Sequence, residues 1–514
     1  MNLPIPNERP PLAGIKLIIL TVAVAMATFM QVIDATIANV AVPTIAGNLG
    51  ASYSQGTWVI TTYGVANAIA LPLSGRLGQR FGEVRLFNLS AALFALTSLA
   101  CGLATNLNFL IVCRVLQGAL GAPIMPLAQT LLMNNYPRRL QMLAIGLWAT
   151  TVSVAPVIGP IMGGYISDNY HWGWIFLINV PIGAVVVILS HLVLSDRETK
   201  LSRPRWSAIS FSLLVLGVGS LQLFLDRGRE LDWFNSPQIV TLAVLAVVGI
   251  TLLLIWESRN PEPLLDLSVF RSRNFSVGLG LIGLGMMLYL GMVVLLPLML
   301  QRNFGFTATW AGIATSPVGL LPILAGPIIG RFGSKFDQRY LISFGFAVFL
   351  LLSLYRSNFA PQADLWFVFG PQIVLGAGIA CFFVPITSLS FIGMAPDKVA
   401  SAAGLFNCVR TLFGAIGASA VTTIWERREA LHHARLAGHI DPFNPQALET
   451  LNTLTNLGMS QEQAAGFVAR QITNQGFILA GAEFFKLCAI CYAFMIALTW
   501  LAKPFRAASI LGKD

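Results

Sequence analysis

Apolar residues run along this chain in long blocks rather than in alternation with polar ones. Fourteen blocks stand out, approximately at 15–44, 54–74, 86–104, 108–133, 141–166, 174–194, 207–225, 237–256, 274–300, 309–329, 340–357, 365–391, 400–425 and 477–501. A helix needs about 20 apolar residues to cross the hydrocarbon core of a bilayer, and these blocks are of that order. Lipid cannot satisfy open backbone groups, so every block is predicted to be a helix. The longer ones allow tilt or extension past the bilayer. The expected fold is an all-α membrane protein with 14 transmembrane helices.

Composition agrees with that reading. The chain has 514 residues, 56% hydrophobic and 11% charged, where a soluble domain carries about 25% charged residues. A soluble enzyme, a secreted disulfide scaffold and a disordered chain are excluded. The net charge of +10 is assigned to basic inner loops and not to nucleic-acid binding. Arg76, Arg80, Arg85, Arg138, Arg139, Arg197, Lys200, Arg203 and Arg205 all fall on one side when alternate loops are followed. That side is cytoplasmic by the positive-inside rule, which also puts both termini in the cytoplasm. The apolar run from Leu17 outlasts a signal peptide and reads as an uncleaved first span. All six cysteines, Cys101, Cys113, Cys381, Cys408, Cys488 and Cys491, lie in apolar stretches and imply no disulfide framework.

An internal repeat shows in the loops. Gly75-Arg76-Leu77-Gly78-Gln79-Arg80-Phe81 follows the second block, and Gly330-Arg331-Phe332-Gly333-Ser334-Lys335-Phe336 follows the tenth, 255 residues on. Parallel six-helix repeats are one transporter design. Residues 1–194 are therefore expected to form one six-helix bundle and 257–514 a second, with two inserted helices in 195–256. The polar stretch 426–476 lies outside and is no short connector. Asp441-Pro442-Phe443-Asn444-Pro445 breaks any helix there, and Ser460-Gln461-Glu462-Gln463 looks like a capping box opening a short helix through Ile472. The stretch reads as an ordered lid or spacer, or as a docking surface for an outer partner.

The chemistry must lie in the membrane. No G-x-x-x-x-G-K-[ST] motif occurs, so uphill transport would draw on an ion gradient. Gly278-Leu279-Gly280-Leu281-Ile282-Gly283 matches a dinucleotide motif, but it sits in an apolar span, where small residues allow close helix packing. Asp34 and Glu483 are the acids read inside spans, and Arg114, Arg410 and Lys486 the bases. Each costs at least about 2.5–3.5 kcal/mol at mid-membrane, so pairing, a wet cavity or function must keep it there. Asp34, deep in the first span, is the candidate proton carrier. Arg114 heads a polar, small face with Gln117, Gly118 and Gly121 and is its preferred partner. Arg410, with Asn407 on a nearby face, suits a counter-ion or a substrate contact; Gln31, Asn39 and Gln117 complete the candidate substrate cavity. Glu483 and Lys486, three apart, are expected to pair with each other. Pro156, Gly159, Pro160, Gly163 and Gly164 make a kinked, tightly packing stretch that suits a hinge, a seal or a purely structural bend. His432, His433 and His439 read as a solvated face. No metal or cofactor site is expected.

Ile33-Asp34-Ala35-Thr36-Ile37-Ala38-Asn39-Val40-Ala41-Val42-Pro43 resembles the first-span signature of the fourteen-span drug:proton antiporters of the major facilitator superfamily. Gly75, Arg76, Gly78, Arg80, Gly82 and Arg85 resemble its loop 2–3 gating motif. Arg114, Gln117 and Gly118 match its fourth-span motif, and Gly159-Pro160 with Gly163-Gly164 its antiporter motif. His171-Trp172-Gly173-Trp174 through Asn179 to Gly183 resembles the family's segment between spans 5 and 6. Gln55-Gly56-Thr57-Trp58 and the long loop with Asn444-Pro445 resemble the EmrB-type branch. The resemblance implies a major facilitator fold and proton-coupled export of lipophilic drugs or toxic amphiphiles. Asp34 would carry the proton, Arg114 would tune it, and the fifth span would guard against leak. It also implies a bacterial inner-membrane pump working with a periplasmic adaptor and an outer-membrane channel. A dedicated exporter of fatty acids or other anionic amphiphiles is the alternative. The gating motif departs from the family, with Gln79 and Ser334 where an acid is usual.

Overall fold

The computed structural model describes residues 10–137, 140–199, 201–202, 207–333, 336–358, 365–438, 440 and 444–504. The apolar blocks are helices throughout. In the first half they are α1 (Ile15–Asn48), α2 (Trp58–Ala70), α3 (Ser74–Phe81), α4 (Glu83–Gly102), α5 (Leu107–Gly121), α6 (Ile124–Asn135), α7 (Gln141–Asn169) and α8 (Asn179–Leu194). The inserted pair is α9 (Ala208–Leu214), a π turn at Val215–Gly219, α10 (Ser220–Arg227) and α11 (Pro237–Arg259). The second half has α12 (Arg273–Asn303), α13 (Ala308–Thr315), α14 (Leu320–Phe332), α15 (Gln338–Arg356), α16 (Leu365–Phe391), α17 (Pro396–Ala437), α18 (Pro445–Asn456) and α19 (Gln461–Thr499). Arg138, Arg139, Lys200, Arg203, Arg205, Ser334, Lys335, His439 and Asp441 to Phe443 lie outside the described residues.

Among the described residues, twelve helical segments are long and apolar enough to cross a membrane, or thirteen counting the bent α7. The expected block 54–74 does not form one such helix. It is divided into α2, a 3-10 turn at Leu71–Leu73 carrying Pro72, and α3. The prolines of α7 have the effect predicted of them, since the axis turns by 41° between Gln141–Pro156 and Ile161–Ser167.

Two groups of helices form around these bends. In the first, α1 packs on α7 and α8, α2 on α5, and α4 on α5 and α8. In the second, α12 packs on α17, and α15 on α16 and α19. The inserted pair crosses closely at Gly217, where a Cβ would come within 2.7 Å of the Ile250 backbone nitrogen. The groups meet at the end that carries the basic loops. A Cβ on Gly75 of α3 would meet Ser401 Cα of α17 at 2.5 Å, one on Gly330 would meet Leu143 Cα at 2.7 Å, and one on Gly146 the Gly326 carbonyl at 2.6 Å. Glycine lets the two backbones touch there.

The outer stretch differs from the expected loop. The helix opened at Ser460 does carry a capping box with Gln463, but it does not stop at Ile472. It continues unbroken into the last span, because Thr473 to Gly476 contains no breaker and both Asn474 and Gly476 are held by neighbours. Asn474 bonds Asn303 at 2.7 Å, and Gly476 lies against Glu429. In the same way α17 runs past residue 425 to Ala437. Asn444 caps α18 through the Gln446 N–H.

Candidate functional site

Asp34 lies about 28 Å along α1 at 1.5 Å per residue and has no solvent exposure. A carboxylate in that position needs a partner for both oxygens. Arg114 Nη1 donates to Oδ2 at 2.6 Å. Asn179 Nδ2 and Gln117 Nε2 donate to Oδ1 at 2.8 and 3.0 Å. Arg114 and Gln117 are three apart on α5 and so share a face, with Arg114 Nη1 also donating to Gln117 Oε1 at 2.8 Å.

Arg114 is equally enclosed. Its Nε donates to the Val59 carbonyl at 3.0 Å, and its guanidinium carbon stands 4.1 Å from the Tyr63 ring centroid and 5.3 Å from that of Phe176. Those rings supply negative faces to a desolvated cation. A second layer fixes the first. Ser98 Oγ accepts from Asn179 at 2.9 Å and Gln117 at 3.1 Å, and donates to the Phe176 carbonyl. Five helices thus converge on one buried charge pair. Breaking such a pair by removing one member typically costs about 3–5 kcal/mol, and Arg114 cannot shed its proton, so neutralising Asp34 alone is costly unless the helices move.

The kinked α7 closes one side. A Cβ on Gly159 would collide with Thr36 Oγ1, two residues beyond Asp34, and one on Gly163 would meet the Ile37 carbonyl at 2.7 Å. Gly164 faces more open space, with Val40 at 3.9 Å. Pro156 is half-buried at the bend, and the Pro160 side chain lies outside the described residues.

The expected cavity residues do not gather in one place. Gln31 is buried one turn before Asp34, while Asn39 is exposed. Asn407 and Arg410 lie on α17 at the junction of the two halves. Asn407 donates to Gln129 Oε1 of α6 at 2.7 Å, and Arg410 Nη2 stands against Met125 Sδ. Arg410 has no carboxylate partner among the described residues. Glu483 does not pair with Lys486 as expected. It faces across to α17, bonding Arg428 at 2.7 Å and standing 3.1 Å from His432, because α17 and α19 run side by side there.

The segment expected to gate is tied down by the stretch after α11 and by the linker after α8. Arg76 Nε donates to the Pro263 carbonyl at 2.7 Å, Arg80 stacks over Phe81, and Gly78 is buried in α3. Gly82 adopts φ +91°, where a side chain would strain the turn. Glu198 accepts from the Val84 and Arg85 N–H groups at 3.1 and 2.9 Å and stands 3.9 Å from the exposed Arg85 guanidinium. An acid therefore does serve this loop, from the linker rather than from position 79. Sequence reasoning passed over Glu198, Ser98, Tyr63 and Gln129. Asn179 entered only as part of the segment that resembles the family's stretch between spans 5 and 6, with no role of its own.

A sequence model described as Major Facilitator Superfamily matches residues 24–418. The chain belongs to the major facilitator superfamily. Within that superfamily it is similar to the Multidrug export protein EmrB of Escherichia coli (strain K12), 51% identical over 499 residues, covering 97% of this chain and 98% of that one. It is 48% identical over 497 residues to the Fatty acid resistance protein FarB of Neisseria gonorrhoeae, again covering 97% and 98%. Among solved structures it resembles the human organic anion transporter MFSD10 (TETRAN), with a TM-score of 0.59 at 12% identity, covering 95% of this chain and all of that one. That likeness speaks for the major facilitator fold alone. The chain is a multi-pass membrane transporter of the bacterial EmrB type, not an enzyme.

Proposed function

We propose that this chain exports lipophilic drugs and toxic amphiphiles from the cytoplasm in exchange for protons, as a fourteen-span inner-membrane antiporter with both termini cytoplasmic. Homology to multidrug export proteins supports the export role. The observation that carries the coupling is the fully buried Asp34–Arg114 pair. A proton on Asp34 cancels its charge and leaves Arg114 an uncompensated buried cation, which favours a different helix arrangement. That links proton occupancy to conformation. The gradient suffices energetically: one proton crossing 100 mV supplies about 2.3 kcal/mol and a pH unit about 1.4 kcal/mol more, enough for a substrate gradient of several hundred-fold.

A narrower substrate class, anionic amphiphiles, is favoured by Arg410, a buried cation at the junction of the halves with no carboxylate partner among the described residues. Similarity to a fatty acid resistance protein points the same way. We further propose that the helices projecting outside engage a periplasmic adaptor leading to an outer-membrane channel. Deleting 440–470 should then abolish adaptor pull-down with insertion intact, and unchanged pull-down would refute docking there.

The central test is transport of a fluorescent lipophilic substrate in proteoliposomes under an imposed pH gradient. Wild type should transport and Asp34→Asn should not, although still inserted. Gradient-driven transport in the variant would end the proton-carrier role of Asp34.

A further inference from the structure

The repeat seen in the loops runs through the helices in one register. Counting 255 residues on from α1, α4, α5–α6 and α7 reaches 270–303, 338–357, 362–390 and 396–424; the helices found there are Arg273–Asn303, Gln338–Arg356, Leu365–Phe391 and Pro396–Ala437. In this register the buried site of the first half has a counterpart in the second. Ser98 corresponds to Ser353, Gln117 to Gln372, and Asp34 to Tyr289. The acid is gone. An arginine, Arg356, stands where the first half has Cys101, one turn beyond Ser353 on α15.

Arg356 is 2% exposed and makes no ion pair among the described residues. Among the described residues its Nη2 has no hydrogen-bond partner, and neither has the hydroxyl of the fully buried Tyr492 on α19. The Phe485 ring centroid is 6.0 Å from the guanidinium. Tyr289 and Tyr492 both pack on Phe349, two turns before Arg356 on α15, with ring centroids 6.2 and 5.2 Å away, and Cys488 lies one turn before Tyr492 on α19. A guanidinium, two phenols and a thiol can all donate toward a further group, although the phenols and the thiol can also accept, and none brings a negative charge. A lone buried cation carries a desolvation cost of several kcal/mol that only an opposite charge offsets. Gln372 Oε1, in the same register, is an unpartnered acceptor among the described residues, so what this cluster lacks is a negative charge rather than a hydrogen-bond acceptor.

We infer that Arg356, Tyr289 and Tyr492 bind a compact monovalent anion, a halide or a carboxylate, in the register where the first half holds the Asp34 carboxylate. The first half carries its anion covalently; the second takes one from solution or from an amphiphile's head group. The anion is then a ligand whose occupancy sets the stability of the second bundle, separately from the proton on Asp34.

The test uses purified full-length protein in detergent. Its unfolding temperature is followed as sodium chloride replaces bulky sodium gluconate at constant ionic strength, and in parallel as octanoate, below its micellar range, is added to gluconate. A saturable rise in wild type is expected. A rise with chloride alone marks a halide site, and one with octanoate alone a carboxylate site. Arg356→Gln should abolish the rise and Tyr492→Phe should weaken the apparent affinity severalfold, whereas Arg229→Gln, which removes an exposed cation outside the cluster, should keep it. Should Arg356→Gln not fold, Arg356→Met replaces the buried cation by an apolar chain of similar length and should fold without responding. No saturable response in wild type, an equal response in the Arg356 variants, or loss of it only in Arg229→Gln would overturn the inference.

Discussion

The closed network around Asp34 makes a prediction in which stability and transport part company. Asp34→Asn keeps the shape of the side chain but removes its charge. Arg114 then retains the Val59 carbonyl, Gln117 Oε1 and the Tyr63 face, with no anion in reach. Uncompensated burial of one partner costs about 3–5 kcal/mol, equivalent to roughly two hundred-fold to several thousand-fold in the unfolding equilibrium. Arg114→Gln alone should cost a similar amount, because it strands the carboxylate. The double variant strands neither charge, so most of the loss should return. Reversible unfolding in mixed micelles titrated with SDS gives the four free energies of the cycle. Transport in proteoliposomes should be absent in the double variant despite its recovered stability. Simple additivity of the two single losses would refute the reasoning, for it would mean that the charges do not depend on each other.

Two further perturbations separate packing from charge. Gly159→Val puts a branched side chain where even a Cβ collides with Thr36; overpacking of this kind costs about 1–3 kcal/mol. It should prise α7 from α1 and raise passive proton leak in proteoliposomes, and an unaltered leak rate would count against α7 as the seal. Glu483→Gln removes a half-exposed acid whose pair with Arg428 is worth about 0–1 kcal/mol. Gradient-driven transport should persist at close to wild-type rate, and its loss would move a coupling role to Glu483, midway along α19.

The sequence carried the fold where physics leaves one solution. Twenty apolar residues in lipid must be helical, and a lone Asp34 in such a run needs pairing, a wet cavity or a function; of the three bases read inside spans, Arg114 was the preferred partner, and it is the one found. Periodicity could not supply what three-dimensional convergence supplies. Ser98 is an ordinary helix serine until Asn179 and Gln117 both donate to it. Glu198 looked like one acid in a charged linker, because its value depends on folding back onto the first turn of α4. The Glu483–Lys486 expectation failed for a related reason. Spacing along one helix competes with whatever a neighbouring helix presents, and here Arg428 is nearer. The ends of α17 and α19 were misjudged because hydropathy falls where the chain leaves lipid, while the helix itself has no reason to stop.

Those two helices have a mechanical consequence. At 42 and 39 residues they are about 60 Å long, roughly twice the hydrocarbon thickness. Each is therefore a rod one end of which moves with the second bundle and which, on the proposed topology, is long enough for its other end to stand clear of the membrane on the outer side. Arg428 and His432 on one rod and Glu483 on the other clamp the pair side by side, so the rods tilt as one. A lever of that length magnifies motion. A small rotation of the bundle at the level of Arg410 sweeps the outer tip through a proportionally larger arc, and a force on the tip is returned to the junction of the halves with the same advantage. Conformational state would thus be readable, and open to bias, from outside the bilayer without any ligand crossing it.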